Sequence, residues 1–358
     1  MKKFLSNVVL SIMIIAILIL LLVYSKDASE TIKYCIEVCT NTLIPSIFAY
    51  MTLCSFLINS GLSIVITTPL WYISKRFIKL DKITFSVFIL SLIAGYPVGI
   101  KMLKQLISHN KNYTEIAIRI APVCFASGPA FIIGFAGNTI YDSSTAGIII
   151  FISCTVSNLI GAVILTKNTK LINATYKEQL KTSGKDITNV ILSSAKSMLM
   201  VCLSMILFNI IAMLIYCALP EHISSNEVFR LFKAIIEITN IHALDATVPL
   251  WLMTFFISFG GLCVIFQVFL LSDGELKIKR FILMRTILSA LSALICVIIT
   301  EISGFEPSIP TFFEKKSELL LDNPFVLISV AVMTIFLISL MSEDVKKFKK
   351  NKIIFKKD

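Results

Sequence analysis

Between residues 83 and 107 an apolar stretch is interrupted by Gly95-Tyr96-Pro97-Val98-Gly99 and followed by Lys101 and Lys104. Pro97 brings no backbone donor and the two glycines loosen a helix, so the segment breaks here. A bilayer tolerates broken backbone only where protein buries it or where it lines a wet cavity. An interrupted helix with cations beside it is therefore a candidate substrate site. The competing reading is that Lys101 and Lys104 snorkel to an aqueous interface.

Three further stretches carry polarity that burial alone would not select. Cys124-Phe125-Ala126-Ser127-Gly128-Pro129-Ala130 combines a proline that frees a carbonyl with a serine able to rebond it or face a ligand. Glu237-Ile238-Thr239-Asn240 is followed by His242 and Asp245, and Glu237 is read either as a coupling-ion ligand or as a carboxylate neutralised by Lys233 four residues earlier. Gly260-Gly261 precedes Gln267, the one strongly polar side chain in an uncharged run from 246 to 272, and the glycine pair also suits close helix packing. Enzyme motifs are missing: there is no H-E-x-x-H, G-x-x-x-x-G-K-[ST] or G-x-S-x-G, and no pair of intramembrane aspartates. The nine cysteines never form C-x-x-C and read as small packing residues, and His109, His222 and His242 lack metal-ligand spacing. No cofactor and no enzymatic activity are expected.

The elements that must position these residues are membrane helices. Of 358 residues 56% are hydrophobic and 15% charged, far from the roughly 25% charge of a soluble domain. The net charge of +11 might suggest nucleic acid, but its location excludes that reading. Basic residues gather at Lys2-Lys3, Lys75 to Lys82, Lys167 to Lys196, Lys277 to Arg280 and Lys346 to Lys357, as short cytoplasmic loops do. Both termini are then cytoplasmic. The Lys101 to Lys111 loop falls on that side only if 83–107 enters and leaves by the same face, as a re-entrant hairpin. The expected fold is an all-α polytopic membrane protein with eight spans, near 4–24, 38–60, 117–138, 144–166, 194–219, 246–271, 281–300 and 323–342. Residues 61–82, with Trp71 and Tyr72, read as interfacial, and either 229–245 or 246–271 is a second re-entrant element.

A glycine break preceded by a long helix and followed by a polar loop occurs in both halves, at Gly95 and at Gly260-Gly261. This predicts two weakly similar, inverted repeats with a site where they meet. The expected organisation is an anchor helix and loop (1–34), a first repeat (35–166), a basic cytoplasmic linker (167–196), a second repeat (197–302), and an extra loop with the last helix and basic tail (303–358).

The ordered blocks G-Y-P-V-G-I-K, S-G-P, E-I-T-N and F-G-G-L-C-V-I-F-Q-V resemble the signature blocks of the YlbJ sporulation integral membrane proteins, over roughly residues 35–300. That group is similar to the wider set with a nucleoside-recognition Gate domain and, more distantly, to concentrative nucleoside transporters. The resemblance implies passage of a small anionic solute, dipicolinate, across the cell membrane or outer forespore membrane. It implies as partners only the lipid bilayer and a second copy or other sporulation membrane proteins. Anion binding would suit donors at a broken helix. Lys101 is then expected as counter-charge, Gly95 and Gly99 as close-approach backbone, and Tyr96 as a stacking or hydroxyl contact. Pro97, Ser127, Gly128, Pro129, Glu237, Thr239, Asn240, Gly260, Gly261 and Gln267 complete the expected substrate site. The alternatives are a non-transporting scaffold for spore cortex or maturation, and a nucleoside-type transporter.

Overall fold

The computed structural model describes residues 2–167, 184–219, 233–238, 240, 248–274 and 276–305. Thr239, His222, His242, Asp245, the expected span 323–342, the basic tail and most of the 167–196 linker lie outside them. Among the described residues every regular element is helical. In chain order these are α1 (Lys2–Val23), α2 (Ser25–Val38), a π-wound stretch (Cys39–Phe48), α3 (Ala49–Asn59), α4 (Leu62–Ser74), α5 (Lys82–Ala94), α6 (Val98–His109), α7 (Thr114–Ile120), α8 (Pro129–Ile140), α9 (Ser144–Thr166) and α10 (Gly184–Ala218). They are followed by α11 (Leu250–Phe259), α12 (Gly261–Leu271) and α13 (Ile278–Ser303).

Among the described residues four stretches are long and apolar enough to cross a membrane: Ser144–Thr166, Ile187–Ala218, Leu250–Leu271 and Ile278–Ser303. Ser25–Pro45 with Ala49–Asn59, bent by 42°, makes a fifth if it is one span. Pro45 sits inside the π-wound stretch of that pair, where its missing donor disturbs the regular ladder. The expected eight spans are a larger number, and one expected member is corrected. Residues 117–138 do not run as one helix: α7 ends at Ile120 and α8 starts at Pro129, with non-helical backbone between. Pro122 and Pro129 at the two ends of this gap donate nothing to a helical ladder.

The spanning helices divide cleanly into two faces. Leu283, Ile287, Leu294, Val297, Ile298 and Ile302 of α13 point outward, as lipid-facing side chains do, while Arg285, Ser289, Ser292 and Cys296 are buried. The buried side of α9 is built from small residues, including Gly147, Ser153, Ser157, Gly161 and Ala162. Small residues let helix backbones approach, and Ser157 Oγ donates to Leu288 O at 2.7 Å across that contact. Helices α9, α11 and α13 pack on one another, and α8 packs on α9. Helices α2 and α12 pack on α10, and α12 also meets α6.

The hairpin has a different character. Its arms α5 and α6 pack together and hold 13 and 12 residues. At 1.5 Å per residue each reaches roughly 20 Å, short of a hydrocarbon core of about 30 Å. Ten of the 13 residues of α5 are buried, on every side of the helix, so protein rather than lipid surrounds it. Helix α4 lies beside α5 with Val65, Ile66, Leu70 and Ile73 exposed. The ammonium groups of Lys75 and Lys82 stand over the Trp71 and Tyr72 rings, an arrangement suited to an interface.

The turn of the hairpin presses directly on the gap between α7 and α8. Gly95 holds φ +80, and a Cβ there would lie 2.7 Å from Gly128 N. A Cβ on Gly99 would lie 2.0 Å from Cys124 O and 2.7 Å from Ser91 Cβ. Backbone meets backbone at both points, so neither can yield as a flexible side chain would. Gly99→Ala is expected to lower thermal stability in detergent by at least about 1–3 kcal/mol. Gly134→Ala, at a helical glycine with open space where its Cβ would sit, should leave the unfolding temperature unchanged.

Candidate functional site

A mainly apolar recess holding a few polar groups forms where the chain is interrupted. Its wall is made by the end of α5 with Gly95 and Tyr96, the 121–128 gap with Ser127 and Gly128, and the stretch at Glu237 and Ile238. Val201 and Met205 of α10, Val264 and Gln267 of α12, and residues of the π-wound stretch close it. The recess encloses about 620 Å³ of space, mouth included, of which about 50 Å³ can hold the centre of a water molecule. One water needs roughly 10–15 Å³ on that measure, so a few waters fit and a ring-sized solute requires the walls to part.

Each polar group arrives there for a local reason. The left-handed Gly95 ends α5, and Val98 N bonds back to Gly95 O at 3.0 Å, which turns the chain and projects Tyr96. The Tyr96 ring stacks on Phe125 with centroids 4.8 Å apart and planes 16° apart. Its buried hydroxyl has no hydrogen-bond partner among the described residues. Ser127 Oγ donates to Ile257 O at 3.1 Å, which ties the first gap to α11. A short helical turn at 233–236 ends at Glu237, and Asn240 N bonds to Glu237 O at 3.0 Å, so the carboxylate leaves a tight turn and is buried at the recess wall. Gln267 Nε2 reaches Val201 O and Cys263 Sγ, both at 3.4 Å.

Of the expected site residues, Gly95, Tyr96, Ser127, Gly128, Glu237 and Gln267 line this one recess. Pro97, Gly99, Pro129, Asn240, Gly260 and Gly261 do not, and Thr239 lies outside the described residues. The two glycines of α11–α12 serve contact: Gly260 packs on the Phe125 ring, and a Cβ on Gly261 would lie 3.1 Å from Ile235 O.

Lys101 lies apart from this recess. It is buried, as a ligand-binding lysine could be, but its Nζ donates to Ser194 Oγ at 2.7 Å and does not line the recess. Ser194 stands seven residues before Val201 on α10, about 10 Å along the helix axis, so Lys101 meets α10 at another depth. Lys104 forms a 2.9 Å ion pair with Asp273, and Arg119 pairs with Glu115 at 3.0 Å. All three cations are engaged elsewhere in the fold.

Arg285 went unnoticed in the sequence because it reads as the edge of the Lys277 to Arg280 cluster; its signal was its place inside the expected span 281–300. It is fully buried. Nε donates to Ser258 O at 2.6 Å, Nη2 to Ser258 Oγ at 2.7 Å, and Nη1 to Asn158 Oδ1 at 2.8 Å and to Pro122 O at 3.1 Å. The guanidinium carbon lies 5.2 Å from the centroid of Phe125. All four of those oxygens are neutral.

Helices long and apolar enough to span a bilayer define the class: an all-helical, multi-pass membrane protein. No protein-family model matches the chain, and no curated protein or solved structure does.

Since Lys101 and Ser194 face each other away from the recess, Lys101→Met and Ser194→Ala should lower stability non-additively. A double-mutant cycle on detergent-purified protein is expected to give a coupling of about 0.5–3 kcal/mol. Strict additivity would separate the two side chains.

Proposed function

We propose that this protein is a permease that carries a small solute through the recess where its interrupted segments meet. The observation that supports this is the convergence of Tyr96, Ser127, Glu237 and Gln267, drawn from four separate stretches, inside an otherwise apolar helical body. Broken helices meeting in a membrane interior are the usual setting of transporter sites. The short, protein-enclosed arms of α5 and α6 fit a re-entrant hairpin, and the wider topology with cytoplasmic termini belongs to the same reading. The resemblance to YlbJ-type sporulation proteins supplies the first solute, dipicolinate, and the setting, the cell membrane or outer forespore membrane. No bond is made or broken in this reading.

The described lining carries the Glu237 carboxylate and neither Lys nor Arg. An ionised Glu237 would repel a dianion, which would then have to travel with protons or a cation. A neutral ring solute with hydroxyl and amide groups, of the nucleoside type, meets the lining as it stands. That single observation favours the nucleoside-type alternative as a second reading.

Proteoliposomes holding the purified chain should accumulate labelled dipicolinate, or labelled uridine on the second reading, above empty vesicles. An imposed proton gradient should be tried in both directions. Tyr96→Phe and Glu237→Gln are expected to lower the initial rate about tenfold, the scale of a hydrogen bond to or near a charged group. Uptake equal to empty vesicles under every gradient would replace the permease with a scaffold.

A further inference from the structure

We propose that Arg285 is a positioning residue of the recess, a clasp on α13 that holds both the 121–128 gap and the end of α11 and thereby sets where Phe125 and Tyr96 stand. Its fork spans the two places where helical backbone stops. Pro122 O belongs to the gap after α7, and Ser258 O lies two residues before the left-handed Gly260. Phe125 sits between these anchors, next to the guanidinium, with Gly260 against its edge and Tyr96 stacked on it. Thus the guanidinium reaches the recess wall through one aromatic ring, without touching the recess.

Packing alone does not account for an arginine here. A buried cation is costly in a membrane, and an apolar side chain of similar volume would fill the space more cheaply. What an apolar residue cannot do is satisfy carbonyls in two directions at once, for which the planar five-donor fork is suited. Asn158 bears the mark of this demand. It turns Oδ1 to Arg285 while its own Nδ2 is left buried with no partner among the described residues. Lysine offers three donors from a single nitrogen, without the spread of the guanidinium fork, and so matches acceptors in two directions less well.

The kinetic half of the test rests on the recess being a solute site; the labelling half does not. In full-length protein whose other eight cysteines are replaced, the buried Cys124 of the gap reports on the clasp through its rate of modification by N-ethylmaleimide. Arg285→Lys and Arg285→Met should each react about tenfold faster than the parent, the loss expected for charge-assisted bonds. With whichever of dipicolinate or uridine the parent takes up, KM should rise about tenfold while Vmax stays within about twofold, since a fold defect would instead reduce the amount of active protein. Should either variant fail to yield monodisperse protein, Ser258→Ala and Asn158→Ala, each removing one side-chain acceptor, give the same comparison with smaller changes. Parental labelling in Arg285→Lys would overturn the proposal, because charge alone would then suffice. Faster labelling with an unchanged KM would uphold the clasp and count against the recess as the solute site.

Discussion

Backbone that stops being helical inside an apolar body must have its freed donors and acceptors satisfied by the protein itself, since lipid offers none. The rest of this molecule follows from that demand. The chain breaks at Gly95, across 121–128 and beside Glu237, and the first two breaks are pressed backbone to backbone at Gly95 and Gly128. Side chains then take up what the ladder has lost. Ser127 reaches Ile257 O, and Arg285 serves carbonyls at Pro122 and Ser258. An interior so stitched leaves room for a few waters and for polar groups that a continuous helix bundle would exclude.

Two layers of packing carry this arrangement. Small residues on α9 bring α13 close, and Ser157 bonds across that contact. The hairpin is held differently, by near-complete burial of α5 and by the steric fit of Gly99 against Cys124 O. The first layer is a membrane bundle with a lipid face; the second is an inclusion within it. The recess lies at their junction.

Electrostatics separates the two solute readings. The protein is basic overall, yet among the described residues Lys101 is engaged by Ser194, Lys104 by Asp273 and Arg285 by neutral oxygens. The recess holds a carboxylate instead. Net charge describes the loops that orient a membrane protein and says little about the sign of the field at a buried site.

The sequence by itself determined where the chain is apolar and where it breaks. Hydropathy marked the stretches that became α9, α10, α11 with α12, and α13, because about 20 uncharged apolar residues have few other places to go. Gly95, Pro97 and Pro129 marked the interruptions, because a missing N–H or a left-handed φ is a local property of one residue. Only the tertiary structure decided where side chains ended. Whether Lys101 faced a solute or Ser194, and whether Arg285 joined a basic loop or a buried clasp, depended on the depth and angle at which distant helices met. Those partners stand 27 to 163 positions away along the chain, on other helices and breaks, and no local pattern encodes them.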